Sequence, residues 1–171
     1  ILERVRQAAP GVEIIDAAPI LQSLRLVKSE AEIACLREAG RLACLGYEQL
    51  MAACQPGQSE RSAAGAAEGA ARMAGAEAIV FTVFGSGPRA ATIIGRPTER
   101  IMREGDMVMA ALAVQYEGYV ATVEYPFVIG RPSDGQRRFL EALLEAANVQ
   151  LRYLRAGANC GEMVRAVRDV F

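Results

Sequence analysis

The pattern of apolar residues changes twice along the chain, and these changes constrain the fold more than any other feature. Between residues 30 and 56 the apolar and small residues recur every three or four positions, as on one side of a long helix: Ile33, Leu36, Gly40, Ala43, Tyr47, Leu50 and Cys54. From Ala78 to Gly130 the apolar runs are strand-like, and two of them meet at Glu117-Gly118, which predicts a hairpin. After Gly130 the helical spacing returns. The sequence therefore predicts helices before and after a group of strands.

Local signals set the helix ends. Ser29 and Glu32 form a capping box, in which each side chain binds a backbone N–H at the start of a helix. A second helix should run from about Ser59 to Met73, and its Gly65 and Gly69 suggest a face that another element approaches closely. Beyond Gly130 we expect a long amphipathic helix that reaches Gly157, followed by a second helix capped by Asn159 and Glu162.

The first residues cannot form a core of their own. They predict the end of a helix, a short strand around Val12 to Ile15 and a turn near Pro19. We therefore interpret residues 1–26 as the tail of a preceding domain and a linker, and residues 27–171 as the domain itself.

Composition excludes several classes of function. Lys+Arg 19 against Asp+Glu 20 gives a net charge of -1, so there is no basic field for nucleic acid or anionic lipid. No apolar stretch approaches the ~20 residues that span a bilayer, and no export signal opens the chain. The four cysteines contain no C-x-x-C pair, which favours free thiols in a reducing cytoplasm. Histidine is absent, and with it the commonest metal ligand and general base.

Four stretches stand out in this order along the chain: RLVKSEAEI, PGQSE, FGSGPRAATIIGRPTERIMREGDMVM and VQYEGYVATVEYPFVIG. Together they resemble the pita-bread hydrolases, which include creatinase, Xaa-Pro aminopeptidase, prolidase and methionine aminopeptidase. The resemblance implies an α+β pita-bread fold, in which helices back a curved antiparallel sheet. It also implies a homodimer. Residues 27–171 would then be an incomplete pita-bread domain, consisting of the first α/β half and the helices of the second half.

The resemblance also identifies positions for a metal site. In the peptidase members of the family, two aspartates eleven positions apart, one on each strand of the hairpin, bind a pair of divalent metals. These positions are Ala111 and Thr122 in this chain, and a family histidine position is Ile94. Alanine has no donor atom and a threonine hydroxyl is a poor ligand for a divalent cation. We therefore expect no metal pair, no other cofactor and no catalytic residue, and hence a chain that is not a metallopeptidase as it stands.

Asp106 is expected to be a turn residue. Three other questions remain open. Glu124 matches a glutamate that contacts the cationic substrate of the metal-free member creatinase, so it could bind a guanidino group, or it could simply face solvent. A loop that carries several arginines could meet the carboxylate of a small peptide substrate or could be solvated; they are Arg89, Arg96, Arg100 and Arg103. The chain as a whole is either part of a hydrolase or a non-catalytic module that binds a peptide or a protein.

Overall fold

The computed structural model describes residues 1–92 and 95–171, which divide into two compact units, residues 1–34 and residues 35–171. The first unit contains helix α1 (Leu2–Ala8) and helix α2 (Ala18–Leu26). The strand predicted at Val12 to Ile15 is wrong, because those residues adopt no regular structure. The turn predicted near Pro19 is also wrong. Proline fits the first turn of a helix, where its missing N–H is not needed, and Pro19 lies in the first turn of α2.

The remaining predicted helices are present, although the one expected to reach Gly157 ends at Tyr153. Helix α3 (Glu30–Ala53) starts at the Ser29–Glu32 capping box, in which the Ser29 N–H donates to Glu32 Oε2 at 2.7 Å. The other helices are α4 (Glu60–Met73), α5 (Asp134–Tyr153) and α6 (Cys160–Arg168). Side chains cap each of them, at Ser59, Ser133 and Asn159. No helix in the part of the chain that the structure describes is both long enough and apolar enough to cross a membrane.

The strands form one antiparallel sheet, so the predicted α+β class is confirmed. Their bounds are β1 (Ala78–Ser86), β2 (Met107–Tyr116), β3 (Tyr119–Glu124) and β4 (Phe127–Val128). Strand β2 pairs with β1 on one side and with β3 on the other, and β4 continues the second pairing at the start of β2. The predicted hairpin turn is present at Glu117 (φ 47°) and Gly118 (φ 78°). The carboxylate of Glu77 accepts the Gly118 N–H at 3.2 Å and so ties the turn to the start of β1.

The core lies between one face of this sheet and helices α3 and α4. Helix α3 contributes large side chains, such as the fully buried Leu42, Tyr47 and Leu50, whereas α4 contributes mainly alanines. The closest approach is at Gly46, where a Cβ would lie 2.5 Å from Leu112 Cδ2. The prediction that Gly65 and Gly69 face a close neighbour is wrong, because a Cβ on either would meet nothing within 4 Å. The small residues that permit close packing are instead Gly46 and the buried alanines of α4, Ala63, Ala64, Ala67 and Ala71.

A fully buried carboxylate, Glu60, joins the start of α4 to the segment that follows β1. Its oxygens accept the backbone N–H and the hydroxyl of Ser86 at 2.9 and 2.7 Å, and the same two groups of Thr98 at 3.0 and 2.7 Å. Arg89 Nε lies 3.2 Å from the Glu60 carboxylate and supplies the opposite charge. Burial opposes ionisation, but the hydrogen bonds from Thr98 and Ser86 outweigh it and hold the pKa of the Glu60 carboxyl below its usual value.

A second ion pair extends this network to the start of β2. Arg100 Nη1 binds Asp106 Oδ2 at 2.7 Å and donates to Ser86 Oγ at 2.7 Å. Asp106 also accepts the Arg103 N–H at 2.8 Å. Burial raises the pKa of Asp106, but the hydrogen bond from Arg100 outweighs it and the pKa is lowered. Asp106 is therefore the structural turn residue that the sequence suggests.

The Glu60→Gln variant should lower the free energy of unfolding by roughly 2 to 4 kcal/mol, because the amide NH2 would face donors and Arg89 would lose its buried partner. Chemical denaturation measures this change. Glu99→Gln is the matched control: Glu99 pairs with Arg61, but both side chains are more than half exposed, so a loss of about 1 kcal/mol or less is expected. Equal effects of the two substitutions would contradict the structural role given to Glu60.

Acid should destabilise the chain through the same network. The folded-state pKa values of Glu60 and Asp106 lie below their unfolded values. The stability that they contribute is therefore present above the unfolded pKa values of about 4 and is lost as the pH falls through the folded ones. Melting temperatures between pH 6 and pH 3 measure this loss. The slope should be shallower in Glu60→Gln and unchanged in Glu99→Gln, and a wild-type slope in Glu60→Gln would exclude Glu60 as a contributor.

Candidate functional site

The candidate site is the face of the sheet that is turned away from helices α3 and α4. In strand β2 the side chains of Ala110, Leu112 and Val114 belong to the core under those helices. Successive residues of a strand point to opposite faces, so Ala111 and Ala113 point to the other side, which we call the open face. The alternation of side chains along each strand therefore shows on which face of the sheet the positions that the family resemblance assigns to metal ligands lie.

Pairing across the strands shows which residues share the open face. Ala111 pairs with Glu124 of β3, and Ala113 pairs with Thr122. On the other side of β2, Ala111 pairs with Val83 of β1. Directly opposed residues of an antiparallel pair share a face, with Cβ atoms roughly 5 Å apart. Positions 111 and 122 are therefore diagonal neighbours on one face, and Glu124 lies directly beside position 111.

The chemistry of this face is poor in metal ligands. Ala111 is buried and offers only a methyl group, Thr122 offers a neutral hydroxyl, and Glu124 contributes an exposed carboxylate. Within residues 1–92 and 95–171, no group of three or more His, Cys, Asp or Glu side chains could hold a metal ion. Among Ala111, Thr122 and Glu124 only Glu124 offers a carboxylate, whereas a pair of hard divalent cations requires several carboxylate oxygens.

The open face also carries exposed apolar side chains. Phe81, which pairs with Ala113, is 44% exposed, and Val120, which pairs with Gln115, is 42% exposed. An aromatic ring and a branched side chain on a sheet face provide contact area for an apolar ligand group. The face therefore combines apolar surface with the carboxylate of Glu124.

The end of β3 beside Glu124 is held from the helix side of the sheet. The single hydroxyl proton of Tyr47 is shared between the carbonyl oxygens of Tyr125 and Ala110, and the Ala110 oxygen lies 3.2 Å from the hydroxyl oxygen. The ring centroids of Tyr47 and Tyr125 are 4.5 Å apart. Burial is the main reason why the pKa of Tyr47 is raised, so its hydroxyl remains a donor. This contact sets the backbone position of the residue that follows Glu124.

Two of the four arginines suggested for a substrate carboxylate have partners within the fold. Arg89 binds Glu60 and donates to the carbonyl of Arg96, and Arg100 binds Asp106. The Glu60 network reaches the sheet through Ser86, which pairs with the core residue Val108 and so lies on the helix side. The family histidine position, Ile94, lies outside the described residues.

Sequence reasoning missed the buried role of Glu60 and the bridging role of Tyr47. Glu60 follows the N-cap Ser59, so it has the ordinary pattern of an acid in the first turn of a helix. Tyr47 lies in the predicted apolar stripe of α3, where nothing distinguishes a core ring from one that bonds to distant carbonyls. Each role depends on groups that are far away in the sequence, so no local pattern could have indicated it.

Comparison with known proteins agrees with this architecture. Residues 34–171 match the model of metallopeptidase family M24. The chain is 31% identical over 176 residues to the Xaa-Pro aminopeptidase of Escherichia coli (strain K12), with 96% of this chain and 40% of the relative covered. It is 26% identical over 170 residues to the Xaa-Pro dipeptidase of Pyrococcus horikoshii, with 99% of this chain and 48% of the relative covered. The chain thus spans less than half the length of these curated relatives.

Solved structures give the same result for the fold. The prolidase from Pyrococcus horikoshii OT3 superimposes with a TM-score of 0.93 at 26% identity, over 99% of this chain and 49% of the prolidase chain. The X-Pro aminopeptidase from Thermotoga maritima MSB8 superimposes with a TM-score of 0.87 at 25% identity, over 99% of this chain and 48% of the other. The predicted pita-bread fold is confirmed by these likenesses. Since the family model also matches most of the sequence, the chain belongs to metallopeptidase family M24.

Proposed function

We propose that the chain is part of a hydrolase-type protein related to the Xaa-Pro peptidases, and that its open face does not hold a divalent metal pair. The observation that supports this proposal is that Ala111 and Thr122 share one face of the hairpin. The family resemblance assigns the first two carboxylate ligands to these positions. A methyl group and a hydroxyl at these positions cannot anchor the cations that would activate water. As it stands, the chain is then not a metallopeptidase.

A second function is favoured by the apolar side chains of the same face. With Phe81 and Val120 exposed on the face that also carries Glu124, the open face suits the binding of a short peptide or protein segment without hydrolysis. In this alternative Glu124 contacts a cationic group of the ligand, such as a guanidinium, whose parallel N–H groups match the two oxygens of a carboxylate. For either function we expect the protein to be cytoplasmic, since its cysteines are free thiols: Cys35, Cys44, Cys54 and Cys160.

Purified wild-type chain that has been incubated with Mn²⁺ and desalted should retain well below one ion per chain in elemental analysis. Mn²⁺ is the appropriate probe because carboxylates suit it, whereas the free thiols would favour Zn²⁺. The Ala111→Asp/Thr122→Asp double variant is the matched control. It restores two carboxylates beside Glu124 and should retain more Mn²⁺, provided that circular dichroism shows it to be folded. One or two ions bound tightly by the wild-type chain would contradict the proposed function.

A further inference from the structure

The pairing along one side of β2 is interrupted at one point, directly after Glu124. Strand β3 pairs with β2 as far as Glu124, which lies opposite Ala111, and pairing resumes at β4 in the same register. Tyr125 and Pro126 lie between the two paired stretches, and proline has no N–H to donate to a neighbouring strand. Ala111 and Glu124 are therefore the last paired residues of β2 and β3 before the interruption, and we call them the terminal pair.

A buried hydroxyl bridges this interruption from the helix side. Tyr47 of α3 is fully buried, and its hydroxyl proton is shared between the carbonyl oxygens of Tyr125 and Ala110. One of these carbonyls belongs to the residue after Glu124, and the other belongs to the residue before Ala111. A single hydroxyl thus connects the backbones on both sides of the terminal pair. Every group of this bridge lies within residues 35–171, the second compact unit.

Ring contacts hold the hydroxyl in place. The ring centroid of Tyr47 lies 4.5 Å from that of Tyr125 and 6.4 Å from that of Phe127, the first residue of β4. Aromatic pairs at these distances contribute packing of their own. A phenylalanine at position 47 would keep both ring contacts and remove only the hydroxyl. The effect of the bridge can therefore be separated from the effect of core packing.

The bridge controls the direction of the Glu124 side chain. Within residues 1–92 and 95–171 no ion pair involves Glu124, so no cation of these residues orients its carboxylate. Its direction then follows from the backbone of the terminal pair, because the side chains of a strand stand roughly perpendicular to the sheet. Burial is the main cause of the raised pKa of Tyr47, and the charge of Glu124 adds to it. The carboxylate and the bridging hydroxyl are thus within electrostatic reach of each other.

We propose that Tyr47 is a positioning residue for Glu124: its hydroxyl holds the terminal pair and so fixes the plane in which the Glu124 carboxylate meets a guanidinium group of a peptide ligand. A guanidinium binds through two parallel N–H groups and needs a carboxylate in a defined orientation, whereas an ammonium is a compact charge with rotatable donors. A fixed carboxylate therefore selects arginine over lysine. This inference rests on the peptide-binding alternative of the proposed function.

Affinities for two small cations test the proposal. NMR titration of the 171-residue chain with N-acetyl-arginine amide and with N-acetyl-lysine amide should show tighter binding of the arginine probe, and Glu124→Gln should remove this preference. Tyr47→Phe should weaken the arginine probe by about fivefold, the effect of one neutral hydrogen bond, and change the lysine probe little. Tyr116→Phe is the matched control: it removes a tyrosine hydroxyl at the other end of β2 and should keep the preference.

The outcomes separate this inference from the function on which it rests. A wild-type chain that does not prefer the arginine probe, or a Glu124→Gln chain that keeps the preference, would overturn both the peptide-binding alternative and the role of Tyr47. If Glu124→Gln loses the preference but Tyr47→Phe keeps it, only the positioning role is overturned. An equal loss for both probes in Tyr47→Phe would also overturn it, because general destabilisation does not distinguish the two cations.

Hydrogen exchange tests the bridge without a ligand. In Tyr47→Phe the backbone amides of residues 110–111 and 124–125 should exchange severalfold faster, relative to those near the turn at residues 115–120, because the loss of the bridge is local. Tyr116→Phe should leave the exchange of residues 110–111 and 124–125 as in the wild type. A uniform increase along the whole hairpin in Tyr47→Phe, or no increase beside the interruption, would contradict the proposal.

Discussion

Strand β2 is the constraint on which the rest of the structure depends. It is hydrogen-bonded to neighbours on both sides, and its alternate residues Ala110, Leu112 and Val114 are buried under the helices. Because the side chains of a strand alternate with a period of two, a slip of one residue would turn the whole apolar set out of the core. The same constraint leaves no freedom to positions 111 and 122, which must lie on the open face. The site is thus defined by the packing on the other side of the sheet.

The sequence motifs that carry the family resemblance are largely structural in this chain. The acid of the PGQSE stretch is Glu60, whose buried carboxylate binds Ser86 and Thr98. The aspartate of the Gly-Asp pair binds Arg100. These contacts link Thr98 and Arg100 to Ser86 and to the start of α4. A chain can therefore retain them, and with them the fold, when the open-face positions that the resemblance assigns to metal ligands carry other residues.

Helices α4 and α5 show two ways of using apolar residues. Helix α4 buries alanines, so it lies close to the rest of the core. Helix α5 leaves Leu144 and Leu151 each 63% exposed. Small residues shorten the distance between elements that already pack, whereas exposed leucines gain free energy only when a further surface removes them from water.

The sequence by itself determined the kind and order of the elements around the site. The stripe of α3, its Ser29–Glu32 capping box, the Asn159 cap of α6 and the Glu117-Gly118 turn are local signals, and the structure agrees with each of them. Local signals failed at Val12 to Ile15 and at Pro19, because a short apolar run or a single proline is compatible with more than one backbone conformation. Likewise, composition identified α4 as a helix of small residues but could not show that Gly46, and not Gly65 or Gly69, is the point of closest approach. Only the tertiary structure decided which residues share the open face and that Glu60 is buried among its donors. Each of these facts depends on groups that are distant in the sequence, and only the packing of the folded chain brings such groups together.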